Sequence, residues 1–202
     1  MLEKFIELTL NLTRDLGYLG IIIPMTIESS FIPFPSEIII IPYAILASQG
    51  KINLTLVILS GLLGSLIGAS INYFLALFLG RKIIYKIIEK KLFKILLLNK
   101  KKIEKSELFF LKYGNISTFI GRLLPVIRQL VSLPAGFARM NFLNFLIFTG
   151  LGSFIWVIIL AGLGYFLGNN KELINKYSKE ISLFFLFSTS IILIFLYKKK
   201  YK

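Results

Sequence analysis

Long apolar stretches alternate with charged ones along the chain, and some of them are free of charge altogether. Positions 52–79 and 141–168 contain no charged residue. At a rise of about 1.5 Å per residue, each is long enough to cross about 30 Å of hydrocarbon as a helix. Positions 181–197 form a shorter uncharged stretch, which we predict to be a last transmembrane helix. Gly64 and Gly68 form a small-xxx-small pair that favours close helix packing.

Two further apolar stretches, 21–48 and 115–136, are interrupted by prolines. Pro33, Pro35 and Pro125 cannot continue a helix, and each pushes the residue before it towards an extended conformation. In the first stretch, the pieces on either side of the break are too short to cross the hydrocarbon. We therefore predict two re-entrant helical hairpins, which are stable at membrane depth only when protein or a water-filled cavity surrounds them.

The two halves of the chain have the same order of elements. Each runs from a broken hairpin into a long helix that ends near a glycine, Gly80 or Gly168. The positive-inside rule places the basic loop 81–105 in the cytoplasm, so the two long helices cross the membrane in opposite directions. The halves, 18–80 and 113–168, are therefore predicted to be inverted repeats. Inverted repeats with broken helices that meet near the midplane are typical of transporter sites.

The composition fits a membrane protein whose positive charge lies outside the bilayer. Of the 202 residues, 56% are hydrophobic and 17% are charged, yet the net charge is +14. The segment 81–112 mixes lysines with Ile and Leu and predicts a basic amphipathic helix on the cytoplasmic surface, the side also expected for the C-terminal lysines. Residues 1–17 predict an interfacial amphipathic helix, not a signal peptide. The uncharged stretches disfavour nucleic-acid binding.

The absence of two residue types from the sequence limits its chemistry. There is no cysteine and no histidine, and Asp15 is the sole aspartate. This composition excludes thiol nucleophiles, Ser-His-Asp triads, His or Cys metal sites and aspartyl dyads. We expect no catalytic residue, no metal and no cofactor, and we predict that the protein is not an enzyme. Proton chemistry is left to Glu, Tyr, Lys or bound water.

Four charges lie in the apolar surroundings of the predicted hairpins: Glu28 and Glu37 in the first, Arg122 and Arg128 in the second. A charge at bilayer depth costs about 2.5–3.5 kcal/mol, so such groups face a partner or a wet cavity. One interpretation is a set of Glu–Arg pairs that only join the hairpins. The other is a binding site, in which the arginines grip a phosphate bidentately. In that site a charged glutamate holds an arginine, and a neutral one releases it to an anionic headgroup.

Three polar residues are secondary candidates for the same site. Asn72 and Tyr73 lie in the first long helix, and Gln129 follows Arg128. They would line the cavity or form interhelical hydrogen bonds, and the second role is the one we favour.

Four motifs resemble those of a known family: E-x8-E around prolines (28–37), G-x3-N-Y-x6-G-R (68–81), F-x-G-R-x2-P-x2-R (119–128) and P-A-G followed by Met140. Together they resemble the DedA family, whose shared core is also called the SNARE-associated or VTT domain, over about residues 17–168. The resemblance implies a polytopic membrane protein with two opposed re-entrant hairpins. It also implies essential acidic positions at Glu28 and Glu37 and essential arginines at Arg122 and Arg128. Glu37 departs mildly, because some relatives have Asp there.

The residues and the resemblance together predict a fold and a function. The fold class is an all-α polytopic membrane protein with two inverted repeats and a C-terminal transmembrane helix. Bacterial members of the family are linked to proton-motive-force-dependent transport and to recycling of undecaprenyl phosphate, and eukaryotic relatives scramble phospholipids. We expect a flippase- or scramblase-like translocase of the bacterial cytoplasmic membrane. Its partners would be undecaprenyl phosphate or another anionic phospholipid, and protons.

Two alternatives stay open at this point. In a proton-coupled antiporter for small cations or drugs, Glu28 and Glu37 would form the site and the arginines would be their counter-charges. In a non-transporting envelope scaffold, the four charges would only hold the fold. A homo-oligomer is compatible with the sequence in each case.

Overall fold

The computed structural model describes residues 11, 16–30, 35–88, 100–124 and 128–169. Several sequence predictions fall outside these residues: most of the interfacial helix 1–17, the last transmembrane helix 181–197, the centre of the basic segment, the C-terminal lysines, Pro33 and Pro125.

The described residues form helices and contain no strand, which confirms the all-α fold class. In chain order the helices are α1 (Leu19–Ser29), α2 (Glu37–Ser48), α3 (Leu54–Ile88), α4 (Lys100–Tyr113), α5 (Ile116–Leu123), α6 (Ser132–Phe137) and α7 (Phe142–Asn169).

The helices of the two proline-broken stretches are short. Helices α1 and α2 have 11 and 12 residues and contain Pro24 and Pro42 in their interiors. At about 1.5 Å per residue each is about 17 Å long, roughly half the thickness of a bilayer core. In the second stretch, α5 ends because Leu124 adopts an extended conformation directly before Pro125. The short helices therefore lie where the sequence predicts them.

Among the described residues, two helices are long and apolar enough to cross a membrane, Leu54–Arg81 within α3 and Phe142–Asn169 (α7), each of 28 residues. A side-chain cap begins α3, since the Asn53 amide oxygen accepts the backbone N–H of Thr55 at 2.8 Å. Gly80 interrupts α3 with φ +69°, in the left-handed region that favours glycine. The chain changes direction there, near the predicted end of the first long helix.

Each short hairpin is divided between the two long helices. Helix α1 packs on α3, whereas α2 packs on α7. Likewise α5 packs on α7, whereas α6 packs on α3, and the two long helices also contact each other. The predicted glycine pair explains one of these contacts. A Cβ at Gly64 or Gly68 would lie 2.6 Å or 2.3 Å from a carbonyl oxygen of α1, so only glycine allows this approach.

The contacts at the helix ends define the direction of the chain. The Tyr18 hydroxyl, just before α1, accepts a hydrogen bond from the backbone N–H of Asn53 at 3.1 Å, so α1 begins where α3 begins. Ser48, at the end of α2, lies against Gly168 near the end of α7. Because α3 follows α2 after a short turn at Gly50, α3 begins beside the end of α7. The two long helices therefore run in opposite directions.

Helix α4, in the second part of the basic segment, packs against other helices. One face of α4 buries Ile103, Ser106 and Phe110, and the helix contacts α5 and α6. Beside it, Arg81 Nε donates to Glu107 Oε1 at 3.0 Å. The sequence predicted a helix that lies on a membrane surface, but it did not reveal that one apolar face of this helix is used for tertiary packing.

Candidate functional site

The structure brings together three of the four charges predicted to lie at membrane depth. Glu28, near the end of α1, is 1% exposed, Arg122 in the last turn of α5 is 4% exposed, and Arg128, which follows α5, is 9% exposed. The two arginines come from one hairpin and the glutamate from the other, so these charges lie where the hairpins meet. Charged groups this deeply buried are normally paired or hydrogen-bonded, and their partners define the site.

Glu28 and Arg128 form an ion pair between the two hairpins, in which Arg128 Nη2 donates to Glu28 Oε1. The other carboxylate oxygen, Oε2, accepts the Ser29 hydroxyl at 3.0 Å. Both oxygens of Glu28 are therefore engaged. One of the Glu–Arg pairs that the sequence analysis considered is present, and it joins residues that are 100 positions apart in the chain.

Two uncharged side chains complete the surroundings of Arg128. Its Nη2 also donates to Ser36 Oγ at 3.1 Å. The indole N–H of Trp156, on α7, donates to the same Ser36 Oγ at 3.1 Å. The guanidinium carbon of Arg128 lies 5.3 Å from the centroid of the Trp156 ring, within the range of a cation–π interaction.

Arg122 has different surroundings, because among the described residues it forms no ion pair. Its Nη2 donates to Ser132 Oγ at 3.0 Å, at the start of α6. Its Nε is buried and has no hydrogen-bond partner within the part of the chain that the structure describes. A buried guanidinium with a free N–H and no ion pair among the described residues is a ready donor for an anion.

Glu37 is the first residue of α2 and lies half-buried, directly after Ser36. Within the described part of the chain it has no ion pair with either arginine. The two predicted acidic site residues are therefore not equivalent. Glu28 is bound to an arginine, and Glu37 lies at a helix N-terminus, where the helix dipole stabilises a carboxylate.

The three secondary candidates hold the hairpins in place. The Asn72 side-chain N–H group on α3 donates to the carbonyl oxygens of Ser30 at 2.7 Å and Gln129 at 3.3 Å. It therefore ties the tip regions of both hairpins to one long helix. The Tyr73 hydroxyl donates to the carbonyl oxygen of Met140, and its ring packs on Phe145. Gln129 contributes its backbone carbonyl. The side chains of Asn72 and Tyr73 thus bond to carbonyl oxygens in the segments between helices, and the lining role of all three residues stays a prediction.

Three residues that contact the arginines were not predicted from the sequence as site residues: Ser36, Ser132 and Trp156. Ser36 lies in the polar string around the prolines, and Trp156 is the sole tryptophan, in the middle of an uncharged helix. Each of these two residues brings a polar group into a part of the chain that is otherwise mostly apolar. Serine and tryptophan have many packing roles, however, so their presence did not indicate which group they would contact.

An open apolar groove of about 630 Å³ lies away from these charges, on the outer face of α3. Its wall includes Phe74 and Phe78 of α3 and Phe142 at the start of α7. Several of its apolar side chains are exposed, which suits a surface that faces lipid. We assign the candidate site to the charges and not to this groove, because the groove offers no charged group for chemistry.

A family model described as the VTT domain matches residues 34–166 of this chain. The match covers α2 to α7 apart from the last residues of α7, including Glu37, Arg122 and Arg128. The chain therefore belongs to the VTT-domain family, the family that the sequence motifs indicated, and it is a helical membrane protein of that family.

Individual relatives agree with this assignment. An alkaline phosphatase-like protein from Lactococcus lactis subsp. lactis is 37% identical over 83% of this chain and 78% of its own length. Undecaprenyl phosphate transporter A from Bacillus subtilis is 35% identical over 78% of this chain and 75% of its own length. Protein DedA from Escherichia coli is 21% identical over 70% of this chain and 62% of its own length. No solved structure matches the chain.

Proposed function

We propose that this protein is a membrane lipid translocase that moves a lipid phosphate, undecaprenyl phosphate or another anionic phospholipid, across the membrane. The observation that carries the proposal is Arg122, a buried cation with a free N–H and no ion-pair partner among the described residues. The similarity to a protein named undecaprenyl phosphate transporter A supports the class of substrate.

Both arginines bind the phosphate in this proposal. Arg122 offers its unoccupied Nε at once, whereas Arg128 is held by Glu28 until that carboxylate is neutral. A guanidinium presents N–H groups in a planar fork that matches two phosphate oxygens, so two guanidiniums bind one phosphate strongly. Each cation is buried, which strengthens its attraction for an anion relative to the same contact in water.

The glutamates couple transport to protons. When Glu28 takes up a proton, it loses the charge that holds Arg128, and the arginine becomes available to the phosphate. When Glu28 releases the proton, the ion pair forms again and competes with the bound lipid. Glu37, half-buried beside Ser36, is the second proton-exchanging group.

The packing of the hairpins supports the inverted repeat and its re-entrant hairpins. The first arm of each hairpin packs on the long helix that follows it, and the second arm packs on the other long helix. A two-fold axis that relates the two halves of the chain would produce this pattern of packing. In the first hairpin α1 begins, and α2 ends, near the beginning of α3, as expected when a chain enters and leaves one face. We place that face outside a bacterial cytoplasmic membrane, with the basic segment in the cytoplasm.

The orientation is directly testable, because the chain has no cysteine and needs no prior mutation for cysteine labelling. We expect Lys51→Cys, in the turn before α3, to react with a membrane-impermeant maleimide in intact cells. Lys112→Cys, at the end of α4, is expected to react only after the membrane is permeabilised. The opposite labelling pattern would refute the proposed orientation.

Transport is tested in proteoliposomes with a fluorescent polyprenyl phosphate and, as a matched probe, the same polyprenyl alcohol. We expect wild-type protein to move the phosphate and not the alcohol, and a pH gradient to change the rate. Arg122→Gln is expected to reduce the rate at least tenfold, which corresponds to the loss of one charged hydrogen bond of about 1.5–3 kcal/mol. Arg139→Gln, which alters an exposed arginine beside α6, is the control and is expected to behave as wild type.

The same assay decides between the proposal and its alternatives. A scaffold would move neither probe, and equal rates for Arg122→Gln and wild type would remove the phosphate site. A cation antiporter is disfavoured by Glu28, because both of its carboxylate oxygens already have donors. We also propose no enzymatic activity, although one relative is named alkaline phosphatase-like. The chain has no histidine and a single aspartate, residues on which two-metal phosphatase sites depend.

A further inference from the structure

The partners of Arg128 come from three separate parts of the fold. Glu28 belongs to α1, Ser36 directly precedes α2, and Trp156 lies near the middle of α7. One of these partners carries a charge and two do not. This difference in charge determines what happens to the arginine when the ion pair with Glu28 is broken.

Ser36 has a well-defined position at the centre of this arrangement. Its side chain is fully buried, and its Oγ accepts hydrogen bonds from both Arg128 and Trp156. A hydroxyl oxygen has two lone pairs, so these two donors use its whole capacity as an acceptor. The indole N–H therefore fixes the hydroxyl, and the hydroxyl in turn fixes one nitrogen of the guanidinium.

We propose that Ser36 and Trp156 are positioning residues that hold the Arg128 guanidinium ready for the substrate phosphate after Glu28 has become neutral. This inference rests on the proposed function and deepens it. The phosphate takes the place of the Glu28 carboxylate on an arginine that does not move, so the arginine exchanges one anion for another.

Ser36 and Trp156 can position Arg128 in this way because both side chains are uncharged. A serine hydroxyl and an indole ring attract a guanidinium but do not cancel its charge, so they hold Arg128 without competing with a phosphate. A free arginine side chain carries about 2 kcal/mol of rotamer entropy, which binding would otherwise have to remove. Ser36 and Trp156 remove that freedom in advance, so the lipid binds a preorganised donor.

The variants separate the hydroxyl, the indole N–H and the ring. Ser36→Ala removes the acceptor, Trp156→Phe keeps a ring but removes the N–H, and Trp156→Leu removes both. Ser70→Ala is the matched serine control, because the Ser70 hydroxyl donates to a carbonyl oxygen of its own helix and, among the described residues, does not bond to Arg128 or Trp156. Phe154→Leu, which alters a partly exposed ring on α7, is the aromatic control.

The first measurement is the concentration dependence of transport of the fluorescent polyprenyl phosphate in proteoliposomes. We expect the KM to rise about tenfold in Ser36→Ala and Trp156→Leu and by a smaller factor in Trp156→Phe, while the maximal rate stays within twofold. Loss of binding without loss of the maximal rate is the signature of preorganisation, which a general folding defect would not produce. Both controls are expected to keep the wild-type KM.

The second measurement uses the emission of Trp156, the sole tryptophan of the chain, in detergent. Ser36→Ala removes the hydrogen-bond acceptor of the indole, so we expect emission at shorter wavelength, with no shift in Ser70→Ala. The phosphate probe is expected to change the emission of wild-type protein and not that of Arg128→Gln.

The outcomes distinguish this inference from the proposed function. If wild-type protein moves neither probe, the proposed function fails, and the emission measurements still test the positioning role. A wild-type KM in both Ser36→Ala and Trp156→Leu would overturn the positioning role even if transport is confirmed. An unchanged emission in Ser36→Ala would do the same, because it would mean that Ser36 is not the partner of Trp156.

Discussion

The ion pair between Glu28 and Arg128 is expected to be the strongest single connection between the two hairpins. Among the described partners, Glu28→Gln leaves Arg128 buried with the neutral Ser36 and Trp156, and Arg128→Gln leaves Glu28 with the Ser29 hydroxyl. Breaking a buried pair by removing one partner costs about 3–5 kcal/mol. We expect about 3 kcal/mol for each single variant, the low end of that range, because each remaining charge keeps a hydrogen-bond partner.

The double variant separates the value of the pair from the cost of an unpaired charge. With both members of this pair neutral, neither is left as an uncompensated buried charge, so we expect a loss of about 3 kcal/mol and not the sum of the two single losses. The coupling energy is then about 3 kcal/mol, at the upper end of what contacting residues show. The free energy of unfolding is measured by SDS titration in detergent micelles, followed by the emission of Trp156.

Glu37 provides the control for this cycle, because it lies in the same hairpin and forms no ion pair with Arg128 among the described residues. We expect Glu37→Gln and Arg128→Gln to be additive within about 0.5 kcal/mol. A Glu28–Arg128 coupling energy as small as that of this control pair would refute the assignment of the ion pair, and with it the proposed proton switch.

Two further predictions concern the packing of the hairpins on α3. Gly68→Ala places a Cβ 2.3 Å from a carbonyl oxygen of α1 and is expected to cost about 1–3 kcal/mol by overpacking, whereas Gly162→Ala, with no atom within 4 Å, should be neutral in the same SDS titration. Asn72→Leu removes the donor to the carbonyl oxygens of Ser30 and Gln129, and we expect a loss of about 1–3 kcal/mol in the free energy of unfolding.

Features that depend on the cost of burying charge could be predicted from the sequence. A long helix in lipid tolerates almost no charge, so the two long helices are visible in the sequence as the uncharged stretches 52–79 and 141–168. For the same reason, Glu28, Arg122 and Arg128 are visible as isolated charges, and the structure buries all three. The glycine contacts of α3 were predictable as well, because close packing of helices requires small residues at helical spacing.

Features that depend on the pairing of distant side chains were not predictable. Two glutamates and two arginines allow several pairings, and nothing in the spacing shows that Glu28 takes Arg128 while Arg122 takes a serine. The role of Trp156 depends on a contact across 120 residues. The packing of α4 was also missed, because a basic helix with an apolar stripe has the same pattern on a membrane surface and on a protein surface.

The way in which each hairpin is divided between the two long helices suggests how protonation of Glu28 would affect the whole fold. Each hairpin has one arm on α3 and one on α7, so a movement of the long helices relative to each other must separate the arms of both hairpins. Asn72 binds backbone carbonyl oxygens near both tips from α3, and protonation does not alter that contact. The link between Glu28 and Arg128 does depend on charge. Under the proposed function, neutralising Glu28 would weaken the connection between the hairpins while each arm keeps its long helix, which is the selective loosening that transport by alternating access would require.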